Sequence, residues 1–321
     1  MASAPDTASL PTRIAIIFPG QGSQALGMTS ELAELYPQIR ETFAEASTAL
    51  GEDLWEICQD EERLNQTQYT QPALLAASIA IWRVLQQKIA TTPCYFAGHS
   101  LGEYSALCAS GVLSLADAIQ LVHKRGQLMQ QAVEGIDTAM AAVLGLEDSR
   151  VENLCEQATE HVDGAIVGAA NFNSPGQVVV SGNATGVNAV IDKVQNTGKK
   201  AIPLKVSVPS HCALMQPASQ ALAEALAAID FDQATIPVIQ NRHAHVETSA
   251  SGIKQALTEQ LSEPVLWSKT MQELADKQIN VLIECGSGNV LSNLAKRQAH
   301  PIASYPTDKP ARLDKLMEVL S

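Results

Sequence analysis

Cys94-Tyr95-Phe96-Ala97-Gly98-His99-Ser100-Leu101-Gly102-Glu103-Tyr104 is the stretch on which the fold turns. Its first four residues form an apolar run that reads as a buried strand, cut off by Gly98. A helical stretch follows from about Leu101 to Ala109, so strand passes into helix through Gly98-His99-Ser100-Leu101-Gly102, a match to G-x-S-x-G. A sharp strand-to-helix turn needs small neighbours, and it lifts the serine hydroxyl above the end of a sheet. The first N–H groups of the helix point at the same spot, which makes the Leu101 N–H a natural half of an oxyanion hole. The same residues also read as a glycine-rich corner carrying a surface serine. The strand before and the helix after favour a nucleophile.

A second loop of this kind lies upstream. Arg13-Ile14-Ala15-Ile16-Ile17-Phe18 reads as a strand opening into Pro19-Gly20-Gln21-Gly22-Ser23-Gln24. Gly20 and Gly22 let the backbone approach a ligand, and the Gln21 N–H can supply the other oxyanion donor. No Gly-Lys-Ser/Thr follows and no G-x-G-x-x-G occurs, which discounts a nucleotide loop. The pattern further predicts a helix over about Leu26–Leu50 broken at Pro37. Another is capped at Thr70-Gln71-Pro72 and runs to Lys88, and a third, capped by Ser114, spans Leu115–Val133.

Residues 138–206 change rhythm. Strands at Met140–Leu146, Ala165–Asn171, Gln177–Ser181 and Ala201–Val206 alternate with helices at Asp148–Glu160 and Ala184–Asn196. The order β-α-β-β-α-β is the ferredoxin-like pattern. Strand–helix alternation then resumes: helix 213–229, strand 236–240, helices near 251–261 and 265–277, strand Asn280–Glu284, helix 289–297. The expected class is α/β. A hydrolase-like larger subdomain with a mostly parallel sheet (13–137 and 207–321) carries an inserted ferredoxin-like subdomain (138–206), and residues 1–12 are a flexible extension.

Composition agrees with this size. The chain has 321 residues, 46% hydrophobic and 17% charged, enough to bury a core without disulfide or metal staples. With 21 Lys+Arg against 34 Asp+Glu, the net charge of −13 disfavours nucleic acids and anionic membranes. The six cysteines form no Cys-x-x-Cys pair and read as reduced thiols. The N-terminus has neither a basic nor an apolar signal region. Ala73–Trp82, the longest apolar run, is about half of a bilayer span. A cytoplasmic, monomeric protein is expected.

A nucleophilic serine needs a base, and seven histidines compete. His99 adjoins Ser100, but neighbouring side chains at a turn diverge. His123 lies inside a helix, and His243 and His245 share a face without an evident third metal ligand. His211, in a loop after an expected strand, leads the others without excluding them. Arg125 is the other anomaly. Its i±3 and i±4 neighbours Leu121, Val122, Leu128 and Met129 are all apolar, so a guanidinium sits in the stripe that faces the core. Such a charge needs an internal acid, a snorkelling stem, or a substrate carboxylate to grip.

Taken together, the segments are distinctive: Phe18–Gln24, Gly98–Tyr104, Arg125, Asn171-Phe172-Asn173-Ser174-Pro175-Gly176-Gln177, Val206–Met215, and Gln260 ahead of Pro264-Val265. Over about residues 13 to 300 the chain resembles the bacterial malonyl-CoA:acyl carrier protein transacylases of dissociated fatty-acid synthesis. The resemblance implies Ser100 as nucleophile, His211 as base, the Gln21 and Leu101 amides as oxyanion hole, and Arg125 as clamp on the malonyl carboxylate. It also implies that a backbone carbonyl, at Gln260, orients the histidine, and that malonyl-CoA and holo acyl carrier protein are substrates with no metal or other cofactor. Val208-Pro209-Ser210-His211 resembles the malonyl-selecting version of that loop. Polyketide or malonate-metabolism acyltransferases, and less so serine thioesterases, stay as alternatives. Both implied partners are anionic, yet residues 1–66 alone hold 11 acids and 3 bases. Lys193, Lys199, Lys200 and Lys205 against Asp192 alone mark the segment 187–211 as the expected steering surface for the carrier.

Overall fold

The structure is a computed structural model that describes residues 11–205 and 208–321. Most of the expected extension 1–12, and Val206 at the end of the expected strand 201–206, lie outside the described residues. Nine strands are described: β1 (Ile14–Phe18), β2 (Tyr95–Gly98), β3 (Thr138–Leu144), β4 (Val167–Ser174), β5 (Gln177–Asn183), β6 (Lys200–Pro203), β7 (Val238–Ile239), β8 (Val281–Glu284) and β9 (Ala303–Pro306). They form two sheets.

The larger sheet has the order β7-β2-β1-β8-β9, and every pairing in it is parallel. Strands buried on both faces read as unbroken apolar runs, and all five residues of β1 are buried. Alternation then assigns each side chain to a layer. Ile14, Ile16 and Phe18 pack with the long helix Thr67–Lys88, while Ala15 and Ile17 meet Trp267, Met271 and Leu274 on the opposite face. In register, Phe18 sits opposite Gly98. The two glycine-rich loops therefore leave adjacent central strands at their carboxyl ends, where ligands collect in open α/β sheets.

The smaller sheet has the order β4-β5-β3-β6 with antiparallel pairings, the ferredoxin-like arrangement in which the first and third strands are central. Ala141, Val143, Val178 and Val180 face the helices Asp148–His161 and Ala184–Asn196. Met140, Ala142, Ala170 and Val179 occupy the other face as a separate apolar group.

Several local expectations needed correction. The helix expected to start at Thr70 starts at Thr67, which leaves Pro72 inside it and capped by no side chain. A proline there removes the N–H that would bond the carbonyl four residues back, at Gln68. That carbonyl instead accepts from His123 Nδ1 at 2.8 Å, so a tertiary contact makes the internal proline tolerable. Pro37 begins the helix Pro37–Leu50 rather than breaking a longer one, because the first turn has no use for its missing N–H. The edge strand β9 and the final helix Pro310–Leu320 had no counterpart in the sequence reading. A four-residue edge strand half exposed along its length carries too little alternation to announce itself.

Candidate active site

The Ser100 corner is built by contact between backbones. A methyl group on Gly102 would lie 2.0 Å from the Phe18 carbonyl oxygen, and one on Gly98 would lie 1.9 Å from the Gly102 carbonyl. A methyl on Gly20 would meet the His99 carbonyl oxygen at 2.3 Å. Only bare backbone lets the two loops and the new helix converge. Ser100 itself has φ 53° and ψ −109°, a strained conformation for a residue with a side chain. Asn241, just past β7, holds it there. Its Oδ1 accepts from the Ser100 N–H at 2.6 Å and its Nδ2 donates to the Gly98 carbonyl at 2.5 Å.

His211 faces the serine. Its Nε2 lies 2.8 Å from Ser100 Oγ, and its Nδ1 lies 2.7 Å from the Gln260 carbonyl oxygen. A carbonyl can only accept, so Nδ1 carries the proton and Nε2 is free to receive one from the serine. The carbonyl takes the place that an acidic residue holds in other triads. His211 also has positive φ, 62°, and its own N–H donates to the Leu261 carbonyl at 3.1 Å. Burial, reinforced by the Arg125 charge, pushes the imidazole down to about 3, so it stays neutral over the physiological range.

Arg125 is buried, at 1% exposure. Its Nη1 donates to Gln71 Oε1 at 2.9 Å and its Nη2 to Gln260 Oε1 at 3.1 Å, with Ser100 Oγ 3.3 Å away. The guanidinium carbon stands 5.3 Å from the centre of the Tyr104 ring. Among the described residues no carboxylate makes an ion pair with it, and Nε has no acceptor. Of the readings open in the sequence, the internal salt bridge and the snorkelling stem both disagree with this geometry. The Leu101 N–H belongs to the first position of its helix and so has no intrahelical acceptor, while the Gln21 N–H bonds no group among the described residues.

Ser100, His211, Arg125 and Gln21 all line one cleft of about 340 Å³, closed on the far side by Met140, Ala142 and Val179 of the smaller sheet. That sheet's second apolar group is thus the opposing wall of the cleft. His99 also lines it, but points away from Ser100: its Nε2 bonds Asn173 Oδ1 at 2.8 Å and its ring packs edge-on against Trp267. His243 and His245 stack on each other, and among the described residues no group of three or more metal-ligating side chains occurs. Lys205 lines the mouth of the cleft, and Lys199 and Lys200 are exposed nearby in sequence. Lys193 lies behind the smaller sheet and donates to Gln157 Oε1 at 3.3 Å. Sequence reasoning missed Asn241 and Gln71, whose positions relative to Ser100 and Arg125 no spacing rule announces. It also gave no role to Asn173 or Glu103, although both stand within the segments already singled out.

The acyl transferase domain family matches residues 15–307. The malonyl CoA-acyl carrier protein transacylase of Salmonella typhimurium is 48% identical over 94% of this chain and 98% of its own. That of Bacillus subtilis is 41% identical over 96% and 98%. The chain belongs to this transacylase family. Among solved structures, FabD of Acinetobacter baumannii superposes with a TM-score of 0.93 at 50% identity, covering 96% of this chain and 98% of that one. A malonyl-transacylase solved in complex with its type II PKS acyl-carrier protein gives 0.92 at 45% identity, covering 96% and 100%. The coverage extends over both sheets, so this family member shares the complete two-sheet frame and not the nucleophile loop alone.

Proposed function

We propose that this chain moves the malonyl group of malonyl-CoA to the phosphopantetheine thiol of acyl carrier protein, for fatty-acid synthesis, through an ester on Ser100. The observation that carries the reading is a neutral Ser100–His211 pair opening beside a buried arginine that has no carboxylate of its own. His211 Nε2 takes the hydroxyl proton as Ser100 Oγ attacks the thioester carbon. The oxyanion rests on the Gln21 and Leu101 amides, the carbon–sulfur bond breaks, and the CoA sulfur leaves with the proton from His211. The carrier thiol then repeats the steps in reverse order of bonds, giving up its proton to His211 and releasing Ser100. Each half exchanges one acyl bond for another, which calls for neither redox nor metal chemistry. Arg125 pairs with the free carboxylate and sets the acyl group's position against Oγ.

Incubation with malonyl-, acetyl- and methylmalonyl-CoA plus holo carrier tests this, scored as acylated carrier. Malonyl-carrier should dominate. Free malonate accumulating without acylated carrier would instead mean a hydrolase, and preference for a polyketide carrier over a fatty-acid one would move the pathway assignment. Six free cysteines support a reducing, cytoplasmic setting, and among the described residues no helix is long and apolar enough to cross a membrane.

Lys199, Lys200 and Lys205 are our candidates for steering the carrier, with Lys205 at the cleft mouth. Exposed charges act mainly on encounter rate and are screened by salt. Reversing Lys199 and Lys200 to Glu should lower kcat/KM for the carrier several-fold at low salt, with the deficit shrinking as salt rises. An unchanged value and unchanged salt dependence would remove the steering role.

A further inference from the structure

Glu103 is a buried acid that the acyl transfer above does not use. It sits three residues after Ser100, in the first turn of the helix Leu101–Ala109, with 0% exposure. A carboxylate there is costly unless its surroundings employ it. No basic group touches it among the described residues; burial pushes it up to about 7 against the opposing effects of two hydrogen bonds and the Arg125 charge. Oε1 has no partner, while Oε2 accepts from the Asn241 N–H at 2.9 Å and from Gln260 Nε2 at 2.9 Å.

The Gln260 contact is the informative one. A side-chain amide has an accepting and a donating end, and Gln260 stands between Arg125 and Glu103 with one end toward each. Turned over, it would present N–H groups to a guanidinium that can only donate. Two acceptors select the opposite orientation, the Glu103 Oε2 at 2.9 Å and the Ser100 carbonyl oxygen at 3.1 Å, and with Nε2 held by both, Oε1 is delivered to Arg125. The guanidinium is thereby held by two neutral oxygens, from Gln71 and Gln260, and the Glu103 carboxyl stands behind Gln260 instead of in contact with it. Direct pairing would occupy the donors that a substrate carboxylate needs.

We propose that Glu103 is a positioning residue that fixes the Gln260 amide so that Arg125 stays aligned and open for the acyl carboxylate. The inference rests on the clamp reading of Arg125. Two variants separate reach from charge. Glu103→Asp keeps the charge but withdraws the accepting oxygen, whereas Glu103→Gln keeps an accepting oxygen at the same reach and loses the charge. The measurement is kcat/KM for malonyl-CoA and for acetyl-CoA, with Arg125→Ala run alongside and folding checked by thermal melting. Glu103→Asp should lower the malonyl-to-acetyl ratio by about tenfold, the usual scale for a misdirected hydrogen bond to a charged group, and Glu103→Gln should restore the ratio to within about twofold of the parent. Equal losses on both substrates in Glu103→Asp would reduce Glu103 to general packing and overturn the proposal, as would a Glu103→Gln ratio no better than that of Glu103→Asp. If Arg125→Ala itself leaves the ratio unchanged, the clamp reading has failed. A ratio shifted by Arg125→Ala but not by Glu103→Asp defeats the Glu103 inference alone.

Discussion

Replacing Arg125 with alanine should cut kcat/KM for malonyl-CoA by roughly two to four orders of magnitude while leaving acetyl transfer intact or improved. The direction on each substrate follows from different physics. Malonyl would carry a carboxylate to a guanidinium that is itself buried, and removing the guanidinium would leave that charge without a partner. Losing one side of a buried, hydrogen-bonded charge pair costs about 3–5 kcal/mol, which sets the size of the effect. Acetyl has no such charge and loses nothing by the change. It also gains something, because the Arg125 charge is one of the causes that depress His211. Without it the imidazole becomes a stronger base toward the Ser100 proton. On the clamp reading, a malonyl carboxylate bound at Arg125 would offset the same charge. The check is a pair of initial-rate series, malonyl- and acetyl-CoA, on one enzyme preparation. Equal losses on both would end the clamp assignment.

Ser100→Ala is the second large effect. It should abolish covalent labelling by malonyl-CoA and lower carrier malonylation by roughly four orders of magnitude or more. The hydroxyl is the group that His211 Nε2 addresses at 2.8 Å, in the cleft that Gln21 also lines. Alanine retains the backbone, so the Asn241 bracket on the residue-100 N–H persists and the fold should keep its melting temperature within a few degrees. Intact-mass spectrometry after brief exposure to malonyl-CoA reads the outcome directly. A malonyl adduct on Ser100→Ala would place the nucleophile elsewhere and with it the whole two-step scheme.

Much of this site could be read before any tertiary information. G-x-S-x-G between an apolar strand and a helix located Ser100, and the spacing of apolar residues around Arg125 marked a charge on a buried face. Other features were out of reach for a physical reason. Periodicity reports which side of an element is buried, not which residue of another element lies opposite. Residue pattern alone put His211 ahead of the other six histidines without excluding them, and the resemblance named it; the structure adds the geometry, with His211 Nε2 2.8 Å from Ser100 Oγ. Arg125 offered three explanations until its neighbours proved to be Gln71 and Gln260 rather than an acid. Pro72 looked like a helix start because its rescue comes from His123, 51 positions away. The carbonyl that orients His211 is backbone, and no side-chain type can advertise it.

The order of most elements, the split into two α/β units and the nucleophile turn were legible locally, since strand and helix periods and the space between backbones at Gly98 and Gly102 depend on short stretches of chain. The tertiary structure decided everything that depends on pairs: which imidazole meets the serine, what the arginine lacks, and which donors Glu103 meets. Those contacts join residues more than a hundred positions apart, such as Ser100 with His211 and Glu103 with Gln260. Only the packing of helices and loops against one another sets their distances, because a hydrogen bond or an ion pair depends on separation in space and not on separation in sequence.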